Sequence, residues 1–292
     1  MKYEAIEANS STFEVKRMCK ILELKAPNYY RWKKQKEKKY EKVKEELEFI
    51  GKVEKAFLES DKTYGYRMIR KELLKKEAYV SEYRVRRVMR ENGFYPETTR
   101  KYRPIDNGKT KGRIFENIVR QNFETKGKNE VWVGDITYIK TYIGWVYLAV
   151  VIDLFNREVV GYATSKKIDT ELVKQALSNA IARQGTKNNM IFHSDRGCQY
   201  SSAGYRKMLE NNGIRGSMSR AGCPYDNSCA ESFFATIKKE RIHRRKYGTL
   251  DEVKADMFKY IELFYNRKRM HSKLGYMSPV EYRLKYDKEQ VA

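Results

Sequence analysis

The chain has 292 residues, with 61 Lys and Arg against 38 Asp and Glu, a formal net charge of +23. Such an excess points to a polyanionic partner, above all nucleic acid, rather than to a merely soluble basic surface. A hydrophobic content of 41% supports a buried core, yet the longest apolar run, Tyr147 to Ile152, is far too short to span a bilayer, and the N-terminus carries no signal region. A soluble, cytoplasmic protein that joins the nucleoid when bound to DNA is therefore expected. The four cysteines form no Cys-x-x-Cys pair, and His193, Cys198, Cys223 and Cys229 match no common zinc spacing. Reduced thiols in a reducing compartment are expected, with Cys198 and Cys229 as small buried residues.

A first helix is expected over 11–24, capped by Ser11 or Thr12, with Val15, Met18, Cys19 and Leu22 at helical spacing. Ala26-Pro27-Asn28 breaks it, and a second, basic helix starts near Tyr29, the outline of a helix-turn-helix. Residues 33–58 read as an exposed amphipathic helix, a spacer or self-association surface, on a thin stripe of Val43, Leu47, Ile50, Val53 and Phe57. A second helical pair follows. Tyr64-Gly65-Tyr66-Arg67 opens one helix, and Ser81 caps another that stops at Asn92-Gly93 and carries Arg84, Arg86, Arg87 and Arg90. Arg84 and Arg87 are candidate DNA contacts. Proline, glycine and many cations then mark a linker. From 130 the pattern becomes β-branched and aromatic. Strands are expected over 131–139, 145–152 and 158–163 as an antiparallel meander, then a helix over 169–184, a strand over 189–194, a helix over 202–211, a short strand over 214–219 and a helix over 226–241. Strands and helices in that order form an α/β layered domain with a mixed sheet between helices. Thr249 and Glu252 form a capping box before another helix, Arg267 to Lys273 is a basic loop, and Ser278-Pro279 opens a last short helix.

Three acids stand out. Asp135 lies inside an apolar strand, where an unpaired carboxylate costs several kcal/mol unless paired or metal-bound. Asp195 ends the fourth strand, at the edge where open α/β sheets place ligands. Glu231 opens the 226–241 helix. Ser228 three residues before it leaves a second reading open, in which Glu231 is a structural cap. Converged, the three make an all-oxygen site suited to two Mg²⁺ ions, or Mn²⁺ in their place. Such a pair of ions clamps a phosphodiester for in-line displacement. Lys238 lies seven residues after Glu231 on the same stripe of the helix. Asp153 and Asp226 read as structural acids and His193 as a packed histidine. Arg196 could steady a phosphate or pair with an acid.

Thirty-five residues separate Asp195 from Glu231. With Trp132-Val133-Gly134-Asp135-Ile136-Thr137-Tyr138-Ile139, Phe192-His193-Ser194-Asp195-Arg196-Gly197-Cys198-Gln199-Tyr200, Tyr225-Asp226-Asn227-Ser228-Cys229-Ala230-Glu231-Ser232-Phe233-Phe234, Lys238, Tyr265-Asn266-Arg267-Lys268-Arg269-Met270-His271, Leu274-Gly275-Tyr276 and Ser278-Pro279, the chain resembles the DDE integrase cores of retroviral integrases and bacterial transposases. It is most similar to the second-frame transposases of insertion-sequence family three, over nearly its whole length.

The resemblance implies an RNase H-like mixed five-stranded sheet flanked by helices, preceded by a basic all-helical region. It implies Asp135, Asp195 and Glu231 as catalytic and metal-binding residues, Lys238 as a DNA contact, and Mg-dependent end cleavage with 3′-hydroxyl strand transfer. Lys239, Arg241 and Arg196 are further candidate DNA contacts. The domains are expected at 1–58 and 59–105 (helix-turn-helix-like), 106–128 (basic linker), 129–245 (catalytic core) and 246–292 (helical extension). A homo-oligomer on DNA ends is implied, together with a first-frame helix-turn-helix and coiled-coil partner or a frameshift fusion to it. Met1 and the lack of strong heptads fit the second-frame product alone. Two other readings are a metal-dependent nuclease that does not join strands and a non-enzymatic DNA-binding protein.

Overall fold

The structure, a computed structural model, describes residues 1–75, 79–97, 114–221 and 223–291. It divides into two compact units, Met1–Pro96 and Glu97–Ala292.

Among its described residues the first unit is helical: α1 (Lys2–Ala8), α2 (Val15–Ile21), α3 (Ala26–Glu59), α4 (Tyr66–Leu74) and α5 (Glu82–Glu91). Three local features differ from expectation. Helix α1 precedes the first expected helix. Helix α2 starts after Glu14, so Ser11 and Thr12 lie in the preceding turn and cap nothing. The second helix and the amphipathic stretch after it are one 34-residue helix, α3. Pro27 sits in its first turn, where the missing N–H has no intrahelical partner to lose. Helix α3 buries apolar side chains at its two ends. Tyr29 packs with Ile6 and Cys19, and Phe49, Val53, Ala56 and Phe57 are buried further along. There α4 and α5 bury Ile69, Leu73, Val85, Val88 and Met89. Tyr40, Val43 and Leu47, between the ends, are exposed. Gly93 (φ +69°) takes the left-handed position that stops α5.

The second unit is built on one sheet: β1 (Val131–Thr141), β2 (Gly144–Asp153), β3 (Val159–Ser165), β4 (Ile191–Ser194) and β5 (Arg215–Met218), in spatial order β3-β2-β1-β4-β5. The first three strands are antiparallel; β4 and β5 run parallel to β1. Helices cover both faces: α6 (Thr170–Gln184), α7 (Ala203–Asn211), α8 (Ser228–Glu240), α9 (Leu250–Phe258), which continues as a π-helical stretch over Lys259–Tyr265, and α10 (Pro279–Val291). Alternation along the strands sorts the core. Val133, Ile139, Val146, Leu148, Val150 and Ile152 pack with Phe233, Phe234 and Ile237 of α8. Trp132, Ala149, Val151 and Val160 face α6 and α7. Helix α6 lies close because β3 offers Gly161, where a Cβ would stand 2.4 Å from the carbonyl oxygen of Ala176.

The first part of the expected 106–128 linker, 106–113, lies outside the described residues, as do 98–105. From residue 114 the chain is packed on the core. Val119 is buried, Ile118 N–H donates to Ser217 Oγ at 2.9 Å, and the ring of Phe115 lies where a Cβ on Gly216 would be. Thr249 caps α9, its Oγ accepting from the Glu252 N–H at 3.2 Å, while the Glu252 carboxylate takes the N–H of Gly248 rather than that of Thr249; Ser278 and Glu281 close a full capping box at the start of α10.

Candidate active site

The register of the parallel strands assembles the first two acids. The last pair between β1 and β4 is Gly134 with Ser194. Asp135 and Asp195 are the next residues after this pair, Asp135 still within β1 and Asp195 just past the end of β4. Strand β4 stops at Ser194 whereas β1 continues to Thr141, so from Asp135 onward β1 has an edge that β4 does not cover. Gly134 leaves room at this point for the ring of Phe192, which a Cβ would meet at 2.3 Å.

Helix α8 brings the third acid. Ala230, Phe233, Phe234 and Ile237 bury its inner stripe against β1 and β2. Glu231 and Lys238, two turns apart, then share the stripe beside the β1 edge. The capping reading of Glu231 fails. A 3₁₀ turn, Pro224–Asn227, precedes the helix, Asn227 takes the N-cap position, and no side chain caps it. The carboxylate of Glu231 is left for another use.

The electrostatics puts Asp195, Glu231 and Lys238 within reach of the charge on Asp135. Burial and then the charge of Asp195 hold the Asp135 carboxyl well above the usual carboxylate range; Glu231 adds to the rise, while the Ile136 N–H, at 2.7 Å, and Lys238 oppose it. Partial burial raises Glu231. Lys238 is pushed down by burial and partly restored by Asp135. Its ammonium stands 4.7 Å from the ring centre of Tyr138. Asp195 Oδ1 accepts from the N–H of Gly197 at 3.0 Å. Among the described residues no three acid, histidine or cysteine side chains already close on a common point at ion-binding distance. The donor set fits a hard divalent cation nonetheless: it is carboxylate oxygen, and its mutual repulsion is opposed by a single nearby ammonium.

The remaining candidates divide into exposed and committed cations. Lys239 is exposed on α8. Arg196 Nε donates to the carbonyl of Ser219 at 2.8 Å and ties the end of β4 to the end of β5. Arg241 is a correction. Its guanidinium is bidentate on Asp256 (2.7 and 3.0 Å), the two side chains being 13% and 8% exposed, and Arg245 and Tyr247 converge on the same carboxylate. Its charge holds the end of α8 to α9. Arg84 and Arg87 need the same correction. Both bind Glu46 of α3, Arg84 at 2.8 Å while also covering the ring of Phe49 at 4.0 Å. Arg86 and Arg90, on the same helix, are the exposed ones.

Two expected structural residues behave as such. His193 is fully buried between Ser217 Oγ (2.8 Å to Nδ1) and Ser219 Oγ (3.2 Å to Nε2), and burial lowers its pKa. Asp153, pushed up to about 6 by burial, accepts the N–H groups of Asn129 and Phe155. Asp226 has a larger part than its turn position signals. Fully buried, it accepts from Arg220, Asn117 and Gln121, and the Arg220 side chain holds its carboxyl well below the carboxylate range. It thereby locks the 117–121 segment and the loop before α8 into place. Cys198 is exposed and Cys229 half-buried, not the small buried residues expected.

The comparisons with known proteins agree with this geometry. Integrase core domain models match residues 125–224 and 231–286, and an HTH-like domain model matches 44–102. The chain is 36% identical over 282 residues to the transposase InsF for insertion sequence IS3A of Escherichia coli strain K12, covering 97% of this chain and 98% of that protein. The chain belongs to the IS3 transposase family. A 31 kDa protein of insertion element IS600 from Shigella sonnei is also 36% identical, over 92% of this chain and 98% of its own length. Among solved structures, the HTLV-2 integrase catalytic core in complex with magnesium aligns with a TM-score of 0.43 at 17% identity, covering 55% of this chain and 99% of that one. The catalytic domain of Mos1 mariner transposase aligns at 0.40 and 17%, covering 46% and 70%. The second unit of this transposase is an integrase core, with Asp135 on β1, Asp195 just past β4 and Glu231 on α8. Its family chemistry is polynucleotidyl transfer in DNA transposition. None of its described helices is long and apolar enough to cross a membrane.

Proposed function

We propose that this transposase cuts DNA at the ends of its insertion sequence and joins the freed 3′-hydroxyl to DNA, with Asp135, Asp195 and Glu231 as the residues that hold two Mg²⁺ ions, or Mn²⁺ in their place. The observation that carries the reading is the placement of Asp135, within β1, beside Asp195, which follows the end of β4, with α8 laying Glu231 near the β1 edge that β4 leaves. When bound, such ions polarise the phosphodiester and acidify the attacking water or hydroxyl. The chain's own part is placement. Asp135 stands on β1 and Asp195 at the turn after β4, Glu231 approaches from a helix anchored by Phe233, Phe234 and Ile237, and Lys238 offers a cation to the phosphate beside them. In joining, the 3′-oxygen forms a new P–O bond as the bond from phosphorus to the leaving 3′-oxygen breaks, and the hydroxyl proton passes to solvent. The uncovered edge of β1 supports access by an extended DNA strand.

DNA contact through the HTH-like unit is supported by its exposed Arg86 and Arg90 and by the chain's charge of +23. Action as a homo-oligomer on paired ends is supported by the exposed row of Tyr40, Val43 and Leu47 at helical spacing on α3. The same row suits a first-frame coiled-coil partner or a frameshift fusion to one.

The test uses the purified chain, Mg²⁺ and labelled DNA carrying the repeats that flank its gene, with wild type beside Glu231→Gln. Joined products that disappear in the variant and with chelator are expected. Nicks without joining, in the presence of the first-frame protein, would establish a nuclease instead.

A further inference from the structure

The β1–β2 hairpin runs out from the acid site and ends in side chains that the core does not use. Tyr142 is 74% exposed, Ile143 64% and Trp145 49%, three neighbouring large side chains at one hairpin tip. The tip is held firmly. Tyr142 N–H donates to the carbonyl of Tyr247 at 2.9 Å, and Thr141 bridges Tyr247. The antiparallel register pairs Lys140 with Trp145 and Tyr138 with Tyr147, so Tyr138, Lys140 and Trp145 share one face of the ribbon. Tyr138 stands edge-on to Trp145, with centroids 5.1 Å apart and planes at 89°, and fixes the indole. Lys238 lies over Tyr138 at 4.7 Å and is also the cation nearest Asp135.

We propose that this face is a stacking platform for unpaired nucleotides next to the cleaved phosphodiester, with Trp145 and Tyr142 as the rings and Lys140 and Lys238 as the phosphate contacts. The assignment of the occupant rests on the DNA reaction proposed above and on charge. Cations interleaved with flat aromatic rings match the alternation of phosphate and base in a single strand, which stacks on such rings whatever its sequence. A second copy of a chain of charge +23 would bring like charge to the same face. The geometry also reaches. Lys140 stands five positions after Asp135 on β1, about 17 Å at strand rise, the length of about five steps of duplex strand. The odd spacing puts the two side chains on opposite faces of the ribbon, so a strand leaving the acids rounds the β1 edge at Lys238, which reaches both Asp135 and Tyr138. A strand whose phosphate sits at Asp135 and Asp195 therefore passes Lys238 and arrives at Trp145 within a few nucleotides. Holding frayed nucleotides there keeps the end open for attack.

The experiment uses the full chain and two versions of one end duplex, blunt and with a short single-stranded extension at the end, each carrying 2-aminopurine at its last nucleotide. Wild type is expected to quench the probe on binding and to bind the extended end about tenfold more tightly than the blunt one, the scale of one good stacking contact. Trp145→Ala and Tyr142→Ala are expected to bind both ends alike, without the quench, while Trp145→Phe retains part of each effect. Circular dichroism and melting identify any variant that has not folded, and Tyr142→Ala at its exposed site then carries the test. Quenching and end preference that persist in both alanine variants would overturn the proposal. So would a change in sedimentation of the DNA-free protein caused by Trp145→Ala, which would mark the tip as a protein contact. Strand joining by wild type is scored in parallel. Because stacking is read on binding alone, failure of the reaction and failure of the platform are separate results.

Discussion

Two clusters of three charged groups, one in each unit, show how this protein separates structure from chemistry. In the helical unit Glu46 receives both Arg84 and Arg87, each cation paired with the carboxylate over the ring of Phe49 where α5 meets α3. In the catalytic unit Asp135, Asp195 and Glu231 face one another, and each raises the cost of ionising Asp135 or is itself raised by burial. A fold gains nothing by crowding carboxylates, so the second arrangement marks a site held ready for a cationic partner. Arg241 with Asp256 repeats the first pattern only one helix end away from Lys238. In this protein a matched charge is a fastening and an unmatched one is a tool.

That contrast can be broken first at the acids. Asp135→Asn and Asp195→Asn are expected to lower strand joining by at least about 10³-fold, since members of one catalytic set fail together. Both should also abolish the rise in melting temperature that Mg²⁺ gives the wild type. Without metal the sign reverses for Asp135→Asn. The carboxyl of Asp135 lies above its unfolded value, so the wild type loses stability as pH climbs from the ordinary carboxylate range towards the raised one. The variant should melt higher than wild type at pH 7 in chelator, and scanning calorimetry at pH 4 and pH 7 checks the difference. Equal melting at both values would refute the crowding of the acids.

The fastenings should fail differently. Arg241→Ala leaves buried Asp256 without its bidentate partner and is expected to cost about 3 kcal/mol in urea unfolding, with no change in the salt dependence of DNA binding by the protein that remains folded. Lys238→Ala should lower joining about tenfold, the scale of one charged hydrogen bond to phosphate, at nearly unchanged stability. The smallest effects separate neighbours on α5. Arg86→Ala and Arg90→Ala should each reduce the slope of log K against log salt by about 1. Arg84→Ala and Arg87→Ala should leave the slope unchanged and cost at most about 1 kcal/mol, because those pairs are partly exposed.

Much of this was legible before any coordinates. The switch from helical period to alternation near residue 130, the meander, α6 with its stop at Gly185 and the Thr249 cap of α9 all follow from local pattern, and the structure contains them. The three acids were legible as chemistry, because an acid in an apolar strand and an acid at a strand end are each costly and hence informative. Less legible were the places where a local signal had two outcomes. Ala26-Pro27-Asn28 reads as a break before a helix near Tyr29, whereas it forms the first turn of a 34-residue helix. Ser228 and Glu231 read as a cap, until the 3₁₀ turn moves the N-cap to Asn227. Polar residues 114–128 read as a linker, although Asn117 and Gln121 are drawn in by the buried carboxylate of Asp226.

The sequence by itself determined the kinds of elements, their order and the identity of the three acids, because backbone period, caps and the cost of a misplaced carboxylate are properties of neighbouring residues. Tertiary structure decided which charges meet. Arg84, Arg87 and Arg241 are indistinguishable in composition from Arg86, Arg90 and Lys239, and only packing against Glu46 and Asp256 committed the first group and left the second on the surface. It also decided that β4 ends where Asp135 begins the open edge of β1, a matter of register between strands that lie some sixty residues apart in the chain. The physical reason is the same in both cases. An ion pair or a strand register is a contact energy between distant residues, and it exists only once the chain has brought them together.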